Sequence, residues 1–159
     1  MPKISNCLWF DSKALEAAQF YMTVFPNSSI GRKSYYPEGS FGEPGSLLTV
    51  EFIIDGSHFI GLNGGNYYKM TPAVSFLIHC KDQKEIDYYW DKLTEGGEIQ
   101  PCGWLVDKFG VSWQVIPDKL DEMMADPDKS KSQRVSDALL RMKKIDLNEL
   151  VKAYENNQA

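Results

Sequence analysis

The chain is poor in histidine and cysteine, the side chains that most often hold zinc and other transition metals. Its 159 residues include only two histidines and three cysteines. The thiols, Cys7, Cys80 and Cys102, are odd in number, widely spaced and form no CxxC pair. Neither a zinc ribbon nor a disulfide framework is therefore expected, and reduced thiols in a cytoplasmic protein are. A basic stripe is also missing: 17 Lys and Arg stand against 22 Asp and Glu, for a net charge of −5. Nucleic acid is thereby excluded as a partner, because phosphate binding needs clustered cations. The densest cationic stretch, Arg141-Met-Lys-Lys144, is expected to be a helix end complementing its dipole. No apolar run approaches the roughly 20 residues that cross a bilayer, so no membrane partner is expected. The start, Met1-Pro-Lys-Ile, leads directly into a strand and lacks a signal-peptide layout.

What the chain does have is a repeat. Ile4 to Phe10 leads into Ala14 to Phe25, and Ala73 to His79 leads into Glu85 to Leu93. Each copy is a short apolar run, a polar break with an Asp, and an aromatic-bearing helix. The copies stand about seventy residues apart, a spacing that implies two fused modules closing around a shared groove.

The elements follow the repeat. Ile4 to Phe10 is apolar at nearly every position, which predicts a strand covered on both faces. Ala14, Ala18, Tyr21 and Phe25 form the inner stripe of the first helix. A strand over Ile30 to Tyr36 is followed by a Gly/Pro-rich loop, Pro37 to Gly45. Asp55-Gly56 between two apolar runs predicts a tight hairpin. In the second copy, Asp82 and Glu85 form a capping box, Ile86, Tyr89 and Leu93 the inward stripe, and Gly96-Gly97 the stop. Short strands are expected over Glu98 to Cys102, Trp104 to Val106 and Val111 to Ile116. The organisation expected is a first module over 1–65, a second over 70–117, and helices over 118–159. Val135, Leu139 and Met142 share one helical face there, and Asp146 caps a last helix. This appendage is expected to pack over a sheet or on a partner subunit.

Several segments carry a resemblance to a known group. They are Leu8-Trp-Phe-Asp11, Phe20-Tyr21, Leu48-Thr-Val-Glu-Phe52, Asp55-Gly56, Leu62-Asn-Gly-Gly65, Asp87-Tyr-Tyr-Trp90, Cys102-Gly-Trp104 and Asp107-Lys-Phe-Gly-Val-Ser-Trp-Gln114. Over essentially its whole length the chain resembles the vicinal-oxygen-chelate, or glyoxalase/bleomycin-resistance, superfamily. Within it, the chain resembles the PhnB-like branch, often labelled demethylubiquinone methyltransferase. The resemblance implies an α+β fold of paired β-α-β-β-β modules forming a curved mixed sheet, commonly as a homodimer. The methyltransferase label finds no echo in the residues: the turn Leu62-Asn-Gly-Gly65 leads into Asn66-Tyr-Tyr-Lys-Met-Thr-Pro72, which is not a helix start.

Metal-dependent superfamily members place His, Gln or Glu at four equivalent points, which fall here on Asn6, near Gly61, on Ser75 and on Gln114. These are neutral, and glycine offers no side chain, so no metal and no cofactor are expected. Strand alternation then lines the groove with Asn6, Leu8, Phe10, Phe52, Gly61, Asn63, Ser75, Leu77 and Gln114, an apolar and aromatic cavity with neutral hydrogen-bonding groups. Trp104, beside a glycine, is the candidate to stack on a ligand. His79 faces the groove as a general base or stands at a strand end bonded to backbone. Glu51, in an apolar strand, is either a base or half of a salt bridge at a dimer seam. Cys7 is expected under the first helix as inert core.

Two functions from different classes fit. One is a metal-free protein that binds a small, partly aromatic or apolar molecule without chemistry. The other is an enzyme on a small organic substrate with His79 or Glu51 as base. A divalent-metal lyase or dioxygenase is the third and weakest fit.

Overall fold

The computed structural model describes residues 3–156, so the Met1-Pro2 lead-in lies outside the described residues. The chain divides into two compact units, Met1–Met70 and Thr71–Ala159.

The first unit runs β1 (Asn6–Phe10), α1 (Ala14–Val24), β2 (Ser28–Tyr35), β3 (Leu47–Ile54) and β4 (Ser57–Asn63). Its four strands lie in the order β1-β4-β3-β2, with β1 parallel to β4 and the other pairs antiparallel. Asp55 and Gly56 both adopt positive φ, 45° and 79°, the geometry a two-residue hairpin needs to match strand twist. α1 buries Ala14, Ala17, Ala18, Tyr21 and Val24 against one face of the sheet. Facing it are Leu8, Phe10, Val50, Phe52 and Phe59, all buried. Phe52 and Phe59 stack at 5.2 Å, and Tyr21 meets Phe52 at 5.9 Å. Small residues let the helix sit close: a Cβ on Gly61 would stand 3.0 Å from Ala14 Cβ and 3.2 Å from Val50 Cγ1.

The second unit repeats the order with β5 (Phe76–Cys80), α2 (Gln83–Thr94), β6 (Glu98–Ile99), β7 (Trp104–Val106) and β8 (Ser112–Pro117). Its sheet, β5-β8-β7-β6, has the same topology as the first. The Asp82 side chain accepts from Glu85 N–H at 2.9 Å, while Glu85 reaches back to Lys81 N–H at 3.0 Å. The capping box therefore closes one residue earlier than its usual form. The strand expected from Glu98 to Cys102 stops at Ile99, because Pro101 cannot donate and Cys102 turns to φ 61°.

Three helices follow: α3 (Leu120–Met124), α4 (Lys129–Leu139) and α5 (Leu147–Glu155). The expectation for Arg141–Lys144 is corrected here. α4 ends at Leu139, so Met142 leaves its face, and the cationic stretch becomes a connector. That connector packs on α2 and on the turn before β7. Lys144 Nζ lies 2.9 Å from Asp87 and 3.5 Å from Asp91. Cys102 and Gly103 N–H groups donate to the carbonyls of Met142 and Lys143. Gln83 uses both ends of its amide, donating to Ile145 O and accepting from Leu147 N–H.

Candidate functional site

Each sheet packs one face under its helix, and the opposite, open face is less covered, although Ser112 and Ile116 on that parity of β8 are buried as well. In the first unit the helix side is the side the sequence assigns to the groove. Leu8, Phe10, Phe52 and Gly61 are core residues beneath α1. Asn6 has the same strand parity and donates from Nδ2 to His58 O at 3.1 Å. The physical reason is that β1 carries no usable alternation. Its only strongly polar residue, Asn6, stands at the strand's first position, where a side chain can bond backbone from either face.

Cys7 is corrected for the same reason: it is exposed, not core. It pairs in register with Ile60 on the open face. Desolvation raises its thiol above the usual range, which keeps it protonated and weakly nucleophilic. Asn63 is a fastener. Its Oδ1 accepts Ala14 N–H at 2.9 Å and its Nδ2 donates to Leu47 O at 3.2 Å.

Glu51 lies on the open face of the first sheet and finds its partner within the same unit. Arg32 on β2 grips it as a fork, Nη2 to Oε1 at 3.0 Å and Nε to Oε2 at 3.3 Å. The expected seam between subunits is not needed to satisfy this carboxylate. The fork raises the Arg32 pKa, chiefly through its hydrogen bond to Glu51. A shallow cavity of about 270 Å³ surrounds the pair, lined also by Ser5, Ser29, His58 and Ile60. Further along this face Trp9 donates from Nε1 to Gly65 O at 2.8 Å and meets Tyr68 edge-on at 4.9 Å. Arg32 and Trp9 are absent from the sequence expectation. An arginine in the strand that precedes a lone strand carboxylate was the signal for the first.

The second unit has its own alternation of buried and exposed positions. Ile78, Cys80, Leu105, Trp113 and Val115 are buried core positions. Leu77 and Trp104 both stand in register with Gln114, on the opposite parity. Ser75 accepts from Gln114 Nε2 at 2.9 Å. His79, in register with Ile116, is exposed, and its side chain makes no hydrogen bond among the described residues. Leu77 is 46% exposed, a large apolar side chain on the uncovered face.

Asp107, between the strands expected over Trp104–Val106 and Val111–Ile116, is a buried carboxylate. It accepts from Phe109 N–H at 2.8 Å, Val111 N–H at 3.0 Å and Trp113 Nε1 at 2.9 Å. The motif Asp107 to Trp113 is thus a structural knot, with every donor aimed at one side chain.

The four points carried over from metal-dependent relatives do not fit a divalent ion. Asn6 and Gly61 lie on the helix parity of their sheet, and Ser75 and Gln114 bond each other. On the open face, the same rung of β1 and β4 offers Cys7 and Ile60. Among the described residues, no three His, Cys, Asp or Glu side chains gather where an ion could be held.

This fold, a β-α-β-β-β unit made twice, is that of the vicinal-oxygen-chelate superfamily. Residues 2–116 match the family described as 3-demethylubiquinone-9 3-methyltransferase, and the chain belongs to that family. It is 34% identical to a Bacillus cereus PhnB protein described as a 3-demethylubiquinone-9 3-methyltransferase, with a TM-score of 0.66 over 73% of this chain and 99% of that one. It also shares its fold with the Pseudomonas aeruginosa protein PA1353, at 16% identity and a TM-score of 0.61 over 74% and 98% of the two chains. The fosfomycin resistance protein FosX of Listeria monocytogenes shares it at 15% identity, with a TM-score of 0.55 over 79% and 98%. No curated protein matches the chain.

Proposed function

We propose that the protein binds a small, partly aromatic or apolar molecule without a metal ion, on the open sheet faces of its modules. The observation that supports this most is the open face of the second sheet. It combines exposed Leu77, the indole of Trp104 and the neutral pair Ser75–Gln114, a mixture of apolar surface and a few oriented polar groups. Of the four positions that would hold an ion, none offers a charged ligand.

The enzyme alternative is weaker on this geometry. A general base needs an orienting partner, and His79 has none among the described residues. Glu51 has one, but its carboxylate is occupied at both oxygens by Arg32. Methyl transfer finds no support either, since the Gly64-Gly65 turn runs into a stretch, 66–75, without helix or strand. We further read the chain as a cytoplasmic homodimer. The thiols of Cys7, Cys80 and Cys102 are unpaired, which suits a reducing compartment. Exposed Ile99 and Leu140 suit a surface that a second copy covers.

The test uses 1-anilinonaphthalene-8-sulfonate as an aromatic probe. Saturable binding at one probe per chain, weakened about tenfold by Trp104→Ala or Leu77→Asp, is expected if the open face recognises it. Binding unchanged in both variants contradicts the assignment of the site.

A further inference from the structure

A second cavity, of about 540 Å³, opens in the first unit at the N-terminal end of α1. Its volume falls in the range of small-molecule sites, roughly 300–1,000 Å³. Three segments build its walls: the start of α1, the 36–47 loop between β2 and β3, and the end of β4.

The frame is fixed by bonds already made. Tyr36 Oη donates to Asn63 O, its N–H donates to Ser46 O at 2.9 Å, and its carbonyl accepts Gly45 N–H at 2.8 Å. Gly42 lies flat on the Tyr36 ring, where a Cβ would come within 2.5 Å. Asn63 ties the first amide of α1 to Leu47, as described above. The long loop is therefore stapled at its base, and the cavity is preformed.

The side chains that face the space are, by contrast, unspent. The side chains of Asp11, Ser12, Glu16 and Gln19 line the cavity and make no hydrogen bond or ion pair among the described residues. No Lys, Arg or His lines it. Leu15, Tyr36, Phe41 and Leu47 supply apolar surface, and Phe41 is fully exposed at 111%. A helix start favours anions, but its effective charge is only about +0.5. Two carboxylates outweigh it, so the local potential is negative and selects a cation.

We propose that this cavity binds an organic ammonium ion, a protonated amine carrying an apolar or aromatic body. Asp11 and Glu16 meet the charge, the Ser12 hydroxyl and the Gln19 amide oxygen accept from the ammonium N–H groups, and the rings of Phe41 and Tyr36 cover the body. An ammonium within about 6 Å of a ring face gains further from the ring's quadrupole. The site shares no residue with the set Leu77, Trp104, Ser75 and Gln114 that carries the reading above, so it stands or falls separately from it.

Amide NMR of the full-length protein tests it, with phenethylamine as probe, phenethyl alcohol as neutral control and 3-phenylpropionate as anionic control. The amine is expected to give saturable shifts confined to 11–19, 36–47 and 63–65, at least about tenfold tighter than the alcohol. Asp11→Asn with Glu16→Gln should weaken the amine about tenfold, and Glu16→Gln alone by less, while peaks elsewhere stay in place as proof of folding. Phe41→Ala should weaken it several-fold. Absent or unsaturable shifts, equal binding of all three probes, or an unchanged affinity in the double variant overturns the proposal.

Discussion

At the residue scale, the most consequential side chain is one that binds no ligand. Asp107 is 3% exposed and receives two backbone N–H groups and the Trp113 indole. Its removal leaves buried donors without an acceptor, at roughly 1–3 kcal/mol for each such group. Asp107→Ala is expected to lower the unfolding free energy by about 3 kcal/mol in urea titration, with a shift in Trp113 emission. Gly61 makes the complementary case. The close approach of Ala14 leaves no room for a branched side chain, so Gly61→Val should cost about 1–3 kcal/mol by overpacking despite valine's better strand propensity. Neither role shows in a single sequence. Asp107 falls between two expected strands, but nothing in the spacing says that the indole six positions on bends back to it.

At the element scale, alternation was informative where polar residues sat inside a strand and misleading where they did not. In β5 the polar His79 sits inside the strand, with Ser75 just before it at the same parity, and both fall on the face opposite the helix. In β1 only Asn6 is polar, at the strand's end, so the parity was set by where α1 landed, a tertiary fact. The fork from Arg32 to Glu51 depends on a register shift between Ile30 and Lys33, and irregular pairing leaves no trace in composition.

The C-terminal helices are joined by charge and hydrogen bonds whose pH behaviour can be derived. Tyr154 Oη donates to Asp126, and Lys131 approaches the same carboxylate at 3.5 Å. The Asp126 carboxyl is held below its usual range first by the Tyr154 hydrogen bond, and Asp87 first by that from Lys144. A depressed folded pKa means stability that is present above the ordinary carboxylate range and lost as pH falls through the folded value. The same bond to Asp126 raises the Tyr154 phenol, so its contribution is lost as pH rises through the raised value. Hydrogen-exchange protection over 147–155 should therefore fall at both ends of the pH range before the sheets are affected. Tyr154→Phe should lower protection there at neutral pH and remove the alkaline limb attributed to this phenol. A Tyr154→Phe profile identical to wild type would contradict the latch.

At the scale of the whole molecule, the duplication was legible from the start and the chemistry was not. The repeat predicted two β-α-β-β-β units, and the two sheets do share one strand order. The C-terminal helices belong to the second unit, docked through Gln83 and Lys144 rather than hanging free. The central claim is that the ion-holding positions of the fold have been given over to neutral residues, leaving surfaces for a small molecule. The direct measurement is elemental analysis of protein purified without chelator, paired with probe binding before and after chelation. The account predicts Zn, Mn, Ni and Fe well below one ion per chain and a probe affinity that chelation leaves unchanged. One ion per chain, with binding lost on its removal, contradicts it.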